Sequence, residues 1–170
     1  MDALRARNRN KILWAQEKDC HGQPLIPDLE ERLKMQRESF LVDVFLTGTN
    51  AVTLDGKLVS TDGLGNRVAP TIFGPKKVIV AAGVNKLVKD LEEALARIRE
   101  TCAPMTARRH FEKHNRPWYG DLPCVKTGVC IEGGCDHDRR ICCSTIIVEF
   151  VQTPYKGRMN VVIIGEDLGI

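Results

Sequence analysis

The chain has 170 residues, of which 43% are hydrophobic and 28% charged, and its formal net charge is +3. This composition is typical of one soluble globular domain that is long enough to bury a core. Aromatic residues make up only 5%, which argues against stacking platforms for nucleic acid, and no apolar run approaches the roughly 20 residues of a membrane helix.

The first 40 residues predict a helical segment. Asp28 is a suitable N-cap, Glu31 follows it by three residues, and apolar residues up to Phe40 fall near one helix face. The basic residues of positions 5–11 lack nearby acids, which favours a solvated helix face, with contact to a phosphate backbone as the alternative. We therefore expect an N-terminal helical segment over 1–40 and an α/β domain over 41–170.

Strand-like patterns follow the helical segment. Residues 41–46 are short, apolar and partly β-branched, so they predict a buried strand that ends in a glycine turn. Residues 51–60 predict a hairpin that is closed by a two-residue turn, Asp55-Gly56. Residues 75–83 predict a second interior strand.

The second half of the domain alternates helix and strand. Gly83–Lys86 is expected to open an amphipathic helix whose apolar face runs over 87–98. After a loop at 120–143, residues 145–151 and 159–164 predict two further strands. This order favours an α/β fold with a mostly buried sheet and flanking helices.

Polar residues are concentrated where the predicted strands end, which is where ligands bind in α/β sheets. Glycine, amide and cationic groups at these positions predict a site for a small anion. Its expected members are Asn50, Asp62, Asn66, Arg67, Asn85 and Lys86. The alternative is structural: Asn66 and Arg67 would finish a turn and pair with Asp55 or Asp62.

Four cysteines lie close together in the loop at 120–143, namely Cys124, Cys130, Cys135 and Cys142. Four thiolates in one loop can surround a tetrahedral zinc ion or hold an iron–sulfur cluster. The alternatives are small buried apolar side chains and redox or disulfide chemistry. His137 could replace one ligand, although a solvated loop residue is the better interpretation.

The remaining cysteines, Cys20, Cys102 and Cys143, are expected to be packing residues. Seven cysteines are an odd number, and Cys142 adjoins Cys143, so a complete disulfide framework is implausible. The N-terminus has no apolar core of the secretory kind. A cytoplasmic protein with reduced thiols is therefore expected.

Several sequence blocks between Ser39 and Gly169 resemble the lactate utilisation (LUD) domain family, and most closely its small bacterial members with a cysteine loop before the last strands. These blocks are Ser39-Phe40, Asp43, Thr47–Ala51, Asp55–Leu58, Asp62–Ala69, Phe73–Val80, Gly83–Lys86 and Gly157–Gly169. The resemblance implies an isomerase/CoA-transferase-like α/β sheet. It also implies a role in the oxidation of L-lactate to pyruvate beside iron–sulfur partner subunits.

The resemblance leaves the catalytic residues unknown, because no base with a nucleophile partner can be named. Members of the family usually begin with a further strand–helix unit, which this chain is expected to lack. An exposed sheet edge would then favour a homodimer, or the helix expected over Met1–Trp14 would cover it. The competing function is a non-enzymatic binding or assembly module that a metal stabilises.

Overall fold

The structure is a computed structural model that describes residues 6–7, 9–19, 21, 23–113, 116–131 and 134–170. Its seven strands form two sheets. The strands are β1 (Val44–Thr47), β2 (Ala51–Thr53), β3 (Leu58–Asp62), β4 (Lys77–Gly83), β5 (Leu87–Val88), β6 (Ser144–Val148) and β7 (Met159–Ile164). One sheet has the order β1-β4-β7 and the other the order β5-β2-β3-β6.

Five α-helices accompany the sheets in the described residues. They are α1 (Leu29–Glu38), α2 (Val68–Ile72), α3 (Leu91–Arg97), α4 (Ala103–Lys113) and α5 (Pro123–Thr127). A π-helical turn, Ile98–Cys102, joins α3 to α4. The predicted α/β fold with flanking helices is confirmed, and no helix in the described part of the chain is long and apolar enough to cross a membrane.

The helix predicted after Asp28 is present. The Asp28 carboxylate accepts a hydrogen bond from the Glu31 amide, so the cap acts as the sequence indicated. Residues 9–19, 21 and 23–28 contain no helix, which places Ile12, Leu13 and Trp14 in irregular backbone. The rest of the helix expected over Met1–Trp14 lies largely outside the described residues.

The three-stranded sheet is parallel throughout. It packs against the four-stranded sheet through a shared apolar cluster of Val52, Leu58, Val78, Val80 and Ala82. The other face of the four-stranded sheet packs on α3 through Ala51, Val59, Val88, Ala94 and Ile98. Burial of these two clusters is the main apolar stabilisation of the fold.

The prediction of a mostly buried sheet is wrong for the outer face of the three-stranded sheet. Val44, Leu46 and Val162 are each 48 or 49% exposed. The residues that alternate with them along the strands, such as Phe45 and Val78, pack in the core instead. This happens because side chains alternate across a strand and no described helix covers the outer side.

The hairpin and the following helix differ in detail from their predictions. Four residues, Leu54–Lys57, separate β2 from β3, and Gly56 has φ 91°, so the turn is longer than the predicted Asp-Gly pair. The Gly83–Lys86 segment does not open the amphipathic helix. That helix begins at Leu91, because the Asp90 carboxylate caps it and Leu87–Val88 pair with β2.

Arg158 ties the start of β7 to the segment that precedes β4. Its guanidinium is buried and donates to the carbonyls of Pro70, Thr71 and Pro75 at 2.9, 2.7 and 2.8 Å. Three charge-assisted hydrogen bonds compensate for burial of this cation. The contact fixes the relative position of α2 and the parallel sheet.

Candidate functional site

The carboxyl ends of β1, β4 and β7 meet at one edge of the parallel sheet. The segments that leave this edge are residues 48–50, 84–86 and 165–169. Ligands bind at this edge in open α/β sheets because the connecting loops and free backbone groups lie there. Several of the predicted site residues are brought together at this place.

Lys86 is the central cation of the edge. Only 8% of the residue is exposed. A Cβ atom added at Gly48 would lie 3.9 Å from Lys86 Nζ, and one added at Gly169 would lie 3.6 Å away. The ammonium therefore lies between the turn after β1 and the C-terminal segment. Among the described residues it makes no hydrogen bond or ion pair, and burial is the main reason that its pKa is lowered.

Arg97 lies beside Lys86 and comes from the end of α3. Its guanidinium donates to the Asn50 carbonyl at 2.9 Å, to the Asn85 carbonyl at 3.2 Å and to Cys102 Sγ at 2.5 Å. Its positive charge further lowers the Lys86 pKa, whereas the Cys102 sulfur opposes that shift. The last turn of α3 therefore carries a second cation to the sheet edge.

Arg67 is the third cation of the group. Its guanidinium donates to the Gly48 carbonyl at 3.3 Å, to Asn50 Oδ1 at 3.0 Å and to the Thr61 carbonyl at 2.6 Å. Burial lowers the pKa of Arg67, and Asp62 opposes the shift. We call Lys86, Arg97, Arg67 and the adjoining Cys102 the basic cluster.

Both interpretations of Arg67 have support in this geometry. The Asp62 carboxylate accepts from the backbone amides of Gly63 and Arg67 at 2.9 and 2.8 Å, as a turn-closing residue would. The Arg67 guanidinium, in contrast, extends to the β1 turn and contributes positive charge near Lys86. Arg67 therefore links the segments at this end of the sheet by hydrogen bonds and also adds positive electrostatic potential near Lys86.

Asn85 positions the C-terminal segment over the site. Its Oδ1 accepts from the Leu168 amide at 3.2 Å and its Nδ2 donates to the Gly169 carbonyl at 3.2 Å. Gly83 allows the close approach, because a Cβ there would lie 2.5 Å from the Glu166 carbonyl oxygen. The side chain of Asn66 makes no hydrogen bond with any described residue.

The four loop cysteines line a mostly apolar cavity together with Leu122, Ile131 and Arg140. We call it the cysteine cavity. Burial raises the pKa of Cys124, and the neighbouring thiols of Cys130, Cys135 and Cys142 raise it further. In residues 6–7, 9–19, 21, 23–113, 116–131 and 134–170, no group of three or more His, Cys, Asp or Glu is arranged to hold a metal ion. All six described cysteines are free thiols.

The cysteine loop touches the loop that carries Arg67. The Cys143 amide donates to the Asp62 carbonyl at 3.0 Å, and a Cβ at Gly63 would lie 3.4 Å from Ile141 Cα. On the other side, Ala103 lines the cysteine cavity and is the next residue after Cys102. The cysteine cavity and the basic cluster are thus connected through backbone contacts between neighbouring segments.

Two residues of the basic cluster were not predicted from sequence. Arg97 is one of several charges on α3, and Cys102 was expected to be a packing residue. Cys102 is indeed 2% exposed, but its sulfur accepts from Arg97. One feature of the sequence could have indicated Arg97: it lies in the last turn of a helix that follows a strand, and such a turn can pack against the sheet.

A largely buried lysine and two arginine guanidinium groups lie at the carboxyl ends of the parallel strands, so the chain is an α/β protein with a basic cluster at that end of the sheet. The sequence model of the LUD domain matches residues 1–164. The chain belongs to the LUD domain family and is a lactate-utilisation-related protein. No curated protein and no solved structure was found to match it. The boundary at residue 40 between an N-terminal helical segment and the α/β domain stays a prediction.

Proposed function

We propose that the chain binds a small carboxylate, a 2-hydroxy or 2-oxo acid, at the basic cluster. The observation that carries this proposal is Lys86, a residue only 8% exposed whose ammonium has no acceptor among the described residues and a lowered pKa because of burial and neighbouring cations. Partial burial makes the charged form of Lys86 costly, and the two neighbouring guanidinium groups increase this cost. A bound carboxylate would supply the missing counter-charge and acceptor oxygens.

The surrounding atoms favour a small ligand. Gly48 and Gly169 flank the Lys86 ammonium without side chains of their own. Arg97 fixes the wall between Asn50 and Asn85 by donating to both carbonyls. A ligand here would meet Lys86 Nζ first, with the guanidinium groups supplying additional positive potential.

We further propose that the chain serves as a subunit in the oxidation of L-lactate to pyruvate. That reaction removes two electrons and two protons from the hydroxyl-bearing carbon and its oxygen. Partner subunits with iron–sulfur clusters would accept these electrons. The proposal rests on family membership and on the basic cluster. The free thiols of the described residues support the proposal that this subunit works in the cytoplasm.

The uncovered face of the parallel sheet supports a homodimer. Val44, Leu46 and Val162 present apolar surface on a three-stranded sheet whose edge strands are β1 and β7. Exposed apolar patches and unpaired strand edges are usually covered in functional assemblies. Pairing of two copies through this face would leave the basic cluster, at the carboxyl end of the strands, open to ligand.

Calorimetric titration of the purified chain with L-lactate and with pyruvate tests the binding proposal. Saturable one-site binding of either acid, weaker in the Lys86→Met variant, is expected. Propionate, which lacks the 2-substituent, is the control for recognition of the carboxylate alone. Absence of saturable binding by both acids up to high millimolar concentrations would contradict the proposal.

The second candidate function is a non-enzymatic binding or assembly module. It is favoured by a broad groove between β6, the segment before β7 and the segment before β4, in which Phe73, Phe150 and Tyr155 are exposed. Such a module would bind a protein partner and no acid. The titration above therefore separates the two functions.

A further inference from the structure

The four thiols of the cysteine cavity face a common space that no carboxylate side chain lines within the described residues. Cys124 and Cys135 are buried, and Cys130 and Cys142 are half-buried. Leu122, only 1% exposed, closes the apolar side. A donor set of sulfur without oxygen selects soft or borderline metals over Mg²⁺ and Ca²⁺.

Arg140 is placed to balance the charge of a thiolate centre. Its guanidinium donates to the carbonyls of Cys135 and Cys142 at 2.6 and 2.8 Å, and its Nη2 lies 3.8 Å from Cys142 Sγ. Its Nε is buried and has no acceptor among the described residues. A neighbouring cation that donates toward sulfur is the type of outer contact that tunes a metal site.

We propose that Cys124, Cys130, Cys135 and Cys142 bind a single Zn²⁺ ion as four thiolates. Each thiol loses its proton to solvent as it ligates, and no electron is transferred. The sulfurs are not arranged as a finished site in the described chain. Binding therefore draws the loop together around the ion, as in small zinc domains whose folding and metal binding are coupled.

The ion also fixes one wall of the basic cluster. The loop that supplies Cys142 continues to Cys143, whose amide donates to the Asp62 carbonyl. The Asp62 side chain in turn holds the Arg67 amide. Closing the cysteine loop on a metal thus limits motion of the loop from which the Arg67 side chain extends. The metal site itself does not depend on whether the basic cluster binds an acid.

Cobalt titration of the full chain tests the metal site. The protein is purified without oxygen, stripped with a chelator, and titrated with Co²⁺ and then with Zn²⁺. The expected result is one Co²⁺ per chain with the sulfur-to-cobalt charge-transfer and d–d bands of a tetrahedral tetrathiolate, which Zn²⁺ abolishes. A spectrum without these bands would overturn the proposal, as would a brown product that contains iron and sulfide.

Cysteine variants add a matched comparison. Cys142→Ser is expected to weaken Co²⁺ binding by at least ~10–100-fold, the loss that even outer contacts can cause. Cys143→Ser changes the adjacent, exposed thiol and is expected to retain the wild-type affinity and spectrum. Equal loss in both variants would contradict the ligand set. If Cys142→Ser does not fold, the wild-type titration still decides the question.

Discussion

Replacement of Lys86 by methionine separates a ligand-binding role from a structural one. The methionine side chain keeps most of the apolar stem and removes the ammonium. In the free protein Lys86 is only 8% exposed, and its ammonium is repelled by Arg97 and Arg67 and lacks an acceptor among the described residues. We therefore expect Lys86→Met to leave the melting temperature unchanged or to raise it.

The same change should weaken acid binding strongly. A hydrogen bond between a charged donor and a carboxylate contributes about 1.5–3 kcal/mol. Its loss corresponds to a rise in Kd of roughly 10- to 150-fold at 25 °C. The assay is calorimetric titration with pyruvate and with L-lactate, together with a thermal unfolding scan of each variant.

Lys76→Met is the matched control for this experiment. Lys76 precedes β4 and Lys86 follows it, so the two lysines lie at opposite ends of one strand. Lys76 pairs with Asp43 at 2.8 Å on the exposed surface, and such pairs contribute little to stability. Unchanged pyruvate affinity in Lys86→Met, or equal loss in both variants, would show that the Lys86 ammonium does not hold the acid.

Four further outcomes follow from the structure. The affinity for the acid should fall as pH rises through the lowered pKa of Lys86, because the charged ammonium is the form that binds the carboxylate. In binding curves measured against pH, the midpoint should lie below the ordinary lysine pKa of about 10.4. Near this midpoint, binding of the acid takes up protons because it favours the charged form. Gly83→Ala should displace the C-terminal segment, because its Cβ would lie 2.5 Å from the Glu166 carbonyl oxygen, and should weaken pyruvate binding, whereas Gly165→Ala, which meets nothing within 4 Å, should not. Arg158→Met should lower the free energy of unfolding by about 3 kcal/mol in urea titrations, since three buried carbonyls lose their donor; a loss below about 1 kcal/mol would contradict this. Light scattering should show a dimer, and Val162→Glu should convert it to a monomer; a wild-type monomer at high concentration would count against the sheet-face interface.

Local chemistry explains why some elements were predictable. The start of α1 depends on Asp28 and on an amide three residues later, and both lie in one short window of sequence. The polar residues at strand ends could be grouped because parallel strands place their carboxyl ends together. The approach of Lys86 to the β1 turn followed from that rule.

Long-range contacts explain what the sequence did not reveal. Leu87 and Val88 look like the first apolar residues of a helix, but pairing with β2 makes them a strand. Arg97 reaches the Asn50 carbonyl across 47 positions of sequence, and nothing near Arg97 indicates that contact. The exposed face of the parallel sheet was also unpredictable, because strand composition does not show which layers cover a sheet.

The most direct test of the basic cluster is a crystal structure of the chain grown with saturating pyruvate. We expect a carboxylate within hydrogen-bond distance of Lys86 Nζ, between Gly48 and the C-terminal segment, with the Arg97 guanidinium beside it. Pyruvate bound elsewhere, with the Lys86 ammonium left unpaired, would contradict the central claim.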